Sequence, residues 1–115
     1  MSHKNLSRVA AARRAHASVF AALGDETRLL LVAKLCHGEP RSISQLTQGS
    51  RLTRQAITKH LRVLQTAGVV RSVRSGRESI FKFHPQPMEE LKRYLDLVSA
   101  QWDEALVCLK SFVEN

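Results

Sequence analysis

Apolar residues recur along this chain first with a helical period, then with a period near two, and finally as a heptad. From Leu6 to Leu23 the segment is Ala-rich, with Leu6, Val9, Ala10, Ala17, Phe20 and Ala21 as its apolar positions. This predicts a helix that Gly24 ends and whose packing partner lies elsewhere. Residues 1–5 are polar and are expected to be loose. Asp25 is a good N-cap for a second helix, and Glu26 suits that helix's positive end. Leu29, Leu30, Val32, Ala33 and Leu35 make it apolar on most sides, which predicts a central position before Gly38 and Pro40 stop it.

Ser42-Ile43-Ser44-Gln45 has the capping-box form, in which the serine hydroxyl and the glutamine amide satisfy each other's backbone N–H. A short helix to about Gln48 should follow, then a turn from Gly49 to Leu52. Thr53 caps a longer helix with Ala56, Ile57, Leu61 and Leu64 on its inner face, closed by Ala67-Gly68. Beyond Gly68 the period falls to two. Val69, Val70 and Val73, then Ile80, Phe81 and Phe83, flank Ser75-Gly76-Arg77, so a β-hairpin is predicted. Pro85 and Pro87 end it, and Pro87 suits the first turn of a last helix whose positive end is faced by Glu89 and Glu90.

In that last helix Met88, Leu91, Leu95, Val98, Trp102, Ala105, Leu109 and Phe112 step alternately by 3 and 4 residues. This is an a/d seam. Residues 87–114 would span about 42 Å, longer than a small core can cover. The seam is therefore expected to bury against a second copy through Leu91, Leu95, Val98, Trp102, Leu109 and Phe112, with the first helix (about 6–23) joining the same interface. The alternative is that it roofs its own domain. The predicted fold class is mainly α with a small β-hairpin: four helices, two strands and a fifth helix. Two helices joined by a short Gly-containing turn and followed by a hairpin make a winged helix-turn-helix, here one domain over residues 1–115.

Charge adds a direction. Between Pro40 and Arg77 there is no Asp or Glu, while Arg41, Arg51, Arg54, Lys59, Arg62, Arg71, Arg74 and Arg77 all fall there. The rest of the chain balances its acids and bases, so the whole net charge of +8 sits in this window. A field this one-sided suits a polyanion, above all double-stranded DNA. A merely solvated face would intersperse acids. On the helix 53–66 the outer face is Arg54, Gln55, Thr58, Lys59 and Arg62, which can donate to base edges and phosphates. Thr53 and the helix N-terminus can hold a phosphate, Arg51 precedes them, and Arg74 and Arg77 flank the tip of the wing at 71–83.

Other classes recede. There is no P-loop, no G-x-S-x-G and no clustered carboxylate pair, so no enzyme is expected. No apolar run approaches a membrane span, and the N-terminus lacks a signal-like apolar region. The two cysteines, Cys36 and Cys108, form no disulfide framework, and a cytoplasmic location fits. No cofactor is expected. A sequence-independent nucleoid or nucleic-acid binder remains an alternative, as does a protein-interaction module built on the seam.

The segments Asp25-Glu-Thr-Arg28-Leu29, Ser42-Ile-Ser-Gln-Leu46, Leu52-Thr-Arg-Gln-Ala-Ile-Thr-Lys-His-Leu-Arg-Val-Leu64, Ala67-Gly-Val-Val70 and Arg74-Ser-Gly-Arg77 together resemble the ArsR-type bacterial transcriptional repressors, over about residues 18–85. The resemblance implies a homodimer that binds an inverted-repeat operator until an inducer, not identified by the sequence, arrives. Many such relatives bind metal through Cys-x-Cys at the start of the third helix. Ser42 and Ser44 stand at those positions here, and residues 85–115 hold no His, so no metal site is expected. Some relatives sense oxidants or reactive sulfur through thiols on the second and last helices. Cys36 and Cys108 are the candidates for that role, or else two small buried hydrophobes.

Overall fold

The computed structural model describes residues 3–114. Its elements are α1 (His3–Leu23), α2 (Glu26–His37), β1 (Arg41–Ser42), α3 (Ile43–Thr47), α4 (Arg54–Thr66), β2 (Val70–Ser75), β3 (Glu78–Phe83) and α5 (Pro85–Glu114). The five helices and the hairpin follow the predicted order. The sheet has a third strand, β1, giving the spatial order β1-β3-β2 with antiparallel neighbours. Arg41 pairs with Phe81 and Ser42 with Ile80. A two-residue strand has no periodicity of its own to be read in sequence. α1 begins before Leu6, so residues 3–5 are helical rather than loose, while residues 1 and 2 lie outside the described residues.

Each boundary has a local cause. The Asp25 carboxylate accepts from the Arg28 N–H at 3.0 Å, capping α2. The capping box is complete: Gln45 N–H donates to Ser42 Oγ at 3.2 Å, and Ser42 N–H to Gln45 Oε1 at 2.9 Å. Thr53 Oγ1 accepts from Ala56 N–H at 3.1 Å and starts α4. α4 ends in a Schellman motif, with Val69 N–H on Leu64 O, Gly68 N–H on Gln65 O and Gly68 at φ +82°. At the wing tip Ser75 pairs with Glu78 across the two-residue loop Gly76-Arg77, and Gly76 takes φ +61°. A glycine of positive φ in the first loop position matches the twist of the flanking strands.

Leu46, Ile57, Leu61, Leu64 and Val69 are fully buried and join Leu31, Val32, Leu35, Val70 and Phe81 in one core. α2 is central through Leu31, Val32 and Leu35, but Leu29 and Leu30 are exposed. α1 docks on that core through Val19 and Ala22, not through the apolar positions expected from its pattern; Leu6, Val9 and Phe20 stay exposed. His16 stacks on Tyr94 of α5 with ring centroids 4.7 Å apart, and Phe20 meets the same ring edge-on. The first helix thus finds part of its partner in its own chain.

One side chain ties three helices. Arg28 Nε donates to the Ala22 carbonyl at 2.6 Å, and Nη2 reaches the Ala21 carbonyl at 3.4 Å. Nη1 lies 3.3 Å from His60 Nδ1 on α4. The guanidinium therefore caps the end of α1 while holding α2 against α4. Asp25 Oδ2 lies 3.7 Å from the same His60 nitrogen. The backbone hydrogen bond from Arg28 holds the Asp25 carboxyl below its ordinary range, helped by the nearby Arg28 and His60 charges.

A carboxylate whose pKa is depressed by folding stabilises the fold above its unfolded pKa, and that contribution is lost as pH falls through the folded value. Asp25→Asn retains a capping oxygen but cannot titrate. Its thermal midpoint should fall less steeply than the wild type's below about pH 4. Superimposable acid limbs in a pH series of thermal melts would contradict the role given to Asp25.

Candidate nucleic-acid interface

The core seats α4 by one face and so turns the opposite face outward. Ile57, Leu61 and Leu64 point in, and Arg54, Gln55, Lys59 and Arg62 are exposed. Thr58 is half-buried, and its hydroxyl donates to the Arg54 carbonyl at 2.7 Å. The Thr53 hydroxyl takes the Ala56 N–H as the α4 cap, so the N–H groups of Arg54 and Gln55 are the ones at the helix start that can face an anion. Arg51 is exposed in the turn before α4.

Arg54 is held rather than free. Its Nη1 donates to Ser44 Oγ of α3 at 2.6 Å. The bond links α4 to α3 across the helix pair and restrains the guanidinium at the exposed surface. Sequence reasoning missed Ser44 because a serine 10 residues away in sequence carries no pattern signal. It also missed Gln65 Nε2 donating to Ser72 Oγ at 3.1 Å, which ties the end of α4 to strand β2. The wing is otherwise free of the body: from Arg71 to Glu78 every residue is exposed, Arg74 and Arg77 among them.

Among the described residues the ion pairs are His60–Asp25 and Lys110–Glu114, so no Arg or Lys of the window 40–77 meets a carboxylate within 4.0 Å. Glu78, which ends the acid-free window, stands at the base of the wing loop opposite Ser75. The turn before α4, the outer face of α4 and the wing tip each present unneutralised cations, the electrostatic footprint of a phosphate-contacting surface.

A second surface lies along α5. The radius of gyration is 18.8 Å, well above the roughly 13 Å of a compact domain of about 100 residues. The two long helices account for this: α5 has 30 residues and is exposed throughout from Ser99 to Glu114, and the first half of the 21-residue α1 is likewise largely exposed. Leu91 does not belong to the open seam: it is 3% exposed and packs in the chain's own core, with Met88 beside it. It is a core residue of one chain because the first turns of α5 lie against that core. Beyond it Val98 is half-buried, whereas Leu95, Trp102, Leu109 and Phe112 are exposed, Trp102 at 62% and Phe112 at 83%. Leu97, Leu106 and Val113 widen the exposed apolar area. So much exposed apolar surface on one helix marks an interaction face.

Cys36 and Cys108 are both free and exposed. Partial burial pushes the Cys36 thiol up, away from the lowered range of reactive thiolates. Among the described residues no group of three or more His, Cys, Asp or Glu could hold a metal ion, and no helix is long and apolar enough to cross a membrane.

The family model of the arsR family of bacterial regulatory proteins matches residues 25–72, which span α2, the helix pair and the start of the wing. An uncharacterized HTH-type transcriptional regulator of Bacillus subtilis, YuzN, is 38% identical over 80 residues, covering 64% of this chain and 87% of that protein. The HTH-type transcriptional regulator Rv2034 of Mycobacterium tuberculosis is 30% identical over 94 residues, covering 82% of this chain and 84% of that protein. Among solved structures, an ArsR-like transcriptional regulator from Rhodococcus sp. RHA1 superimposes with a TM-score of 0.76 at 38% identity, covering 87% of this chain and 93% of the other.

The Arg54–Ser44 bond makes a prediction. Ser44→Ala changes an exposed hydroxyl, so stability should move by no more than about 0.5 kcal/mol. Duplex DNA binding should weaken, but by a smaller factor than in Arg54→Ala, because the guanidinium remains and only its aim is lost. Binding of Ser44→Ala equal to wild type in fluorescence anisotropy would show that the bond does not position Arg54.

Proposed function

This chain belongs to the arsR family of bacterial regulatory proteins, and we propose that it is a homodimeric repressor that binds an inverted-repeat operator in double-stranded DNA. The observation that carries this is the coincidence of geometry and charge. The outer face of α4, set by the buried stripe Ile57, Leu61 and Leu64, is polar and cationic, and it falls in the stretch 40–77 that contains no Asp or Glu. A sequence-independent binder needs the charge but not the polar face that Gln55, Thr58 and Lys59 add to it.

In this mechanism α4 enters the major groove. Arg54, Gln55, Thr58 and Lys59, on its N-terminal half, read base edges. Arg51 and Arg62 contact phosphates, and the first-turn N–H groups of α4 receive another. Arg74 and Arg77 carry the wing to the adjacent minor groove or its backbone. The α5 seam from Leu95 to Phe112 pairs two copies about a two-fold axis, with α1 alongside. That sets the reading helices in successive major grooves, about 34–36 Å apart. Binding a promoter in this way blocks transcription and requires neither catalysis nor a cofactor. The site of action is the cytoplasm.

Two outcomes test the division of roles. Trp102→Glu places a charge in the seam and should yield monomers by sedimentation that bind DNA weakly; a stable dimer would count against this interface. Lys59→Ala should narrow the gap between matched and mismatched duplexes by about 1–3 kcal/mol, whereas Arg62→Ala should weaken all duplexes alike and lower the salt slope by about 1 for each copy. Identical behaviour of the two variants in salt-titrated binding would refute the assignment.

A further inference from the structure

One cleft lies apart from the seam and meets the proposed DNA surface only at Arg51. It lies between α2 and the turn that joins α3 to α4, with a volume of about 290 Å³. Its floor is apolar and comes from three elements: Leu31 of α2, Leu46 of α3 and Ile57 of α4, all fully buried. Leu30 forms a rim and is 55% exposed, an apolar side chain left in solvent beside an apolar cleft. Lys34 and Arg51 line the same cleft, half-buried and exposed respectively, so their charges lie where it opens. No acid lines it, and neither cation is ion-paired among the described residues.

We propose that this cleft binds a small amphipathic carboxylate, and that its occupation weakens DNA binding. The apolar body would lie against Leu30 and Leu52, with Leu31, Leu46 and Ile57 beneath them, and the carboxylate would meet Lys34 and Arg51. An apolar floor with a few polar groups fixing one end is the usual make-up of a ligand site. A volume near the low end for such sites suits a medium-chain or aryl carboxylate rather than a nucleotide cofactor. Arg51 supplies the link to DNA. A guanidinium engaged by a carboxylate is withdrawn from a phosphate. The ligand would also lie against Leu52 and the turn at Gly49 (φ +77°), which lead from α3 into α4. Ligand and DNA would therefore oppose each other reciprocally. The link to DNA rests on the repressor reading; the binding site does not.

The test uses octanoate, with 1-octanol as the uncharged counterpart, and methyl NMR of the full chain. Octanoate is expected to saturate and to shift the methyl signals of Leu30, Leu31, Leu46 and Ile57. Lys34→Gln should weaken it about tenfold, the value of one charge-assisted bond. Leu30→Trp, at an exposed rim position, should plug the cleft without disturbing the core and abolish the shifts. In the wild type octanoate should lower duplex affinity at least fivefold, and in Leu30→Trp it should not. Three results would overturn the site: no shifts, shifts that follow the α5 seam (Leu95, Leu97, Leu106) instead, or equal binding of octanol. Saturable binding at the cleft with unchanged duplex affinity would overturn the coupling. If the chain bound octanoate as described yet bound no duplex, the site would stand and the repressor reading would fall.

Discussion

The Arg28 guanidinium is the point on which the arrangement of helices turns. It closes the C-terminal end of α1 by donating to the Ala21 and Ala22 carbonyls, and it reaches His60 on α4. Its own backbone N–H is taken by Asp25, which starts α2. Four residues, Asp25 to Arg28, therefore set the angle between α1 and α2 and the seat of α4 together. The buried Ile57, Leu61 and Leu64 do the rest, because once α4 is pressed on the core by that stripe its other face can only point to solvent.

Function follows from what that outer face holds. Apart from Arg41 in β1, the cations of the window 40–77 lie on the turn before α4, on α4 and on the wing, and none meets a carboxylate within 4.0 Å among the described residues. Unpaired surface charge costs little in water but forms strong, salt-sensitive contacts with a phosphate backbone. Two internal bonds convert a charged surface into an aimed one. Ser44 holds Arg54, and Gln65 with Ser72 ties the wing to α4. The projecting α5 adds the second requirement of the proposed reader, a way to fix the distance between two such surfaces.

Much of this was legible in the sequence, for local reasons. Caps at Asp25, Ser42 and Thr53 act within three residues, and each is present. The stripe Ile57, Leu61 and Leu64 is a helix-period signal, and it alone defined which side chains of α4 face out. What stayed hidden depends on contacts between distant segments. The Arg28–His60 and Arg54–Ser44 bonds join residues 32 and 10 positions apart, which no periodicity reports. β1 is two residues paired to β3 and has no alternation to detect. The heptad of α5 announced an apolar stripe without saying what would cover it, so Leu91, buried in its own core, was grouped with Trp102 and Phe112, which are open to solvent. The Ala-rich α1 concealed its inward face similarly, because Val19 and Ala22 differ little from their neighbours in apolar character.

The central claim is that the outer face of α4 reads sequence as one half of a two-fold pair. Selection of bound molecules from a pool of random duplex DNA by the purified protein tests it most directly. Recovery of an inverted repeat whose half-sites are centred about one helical turn apart is the predicted result. Recovery of no motif, with binding that disappears at moderate salt, would contradict it and reduce the surface to a sequence-independent polycation.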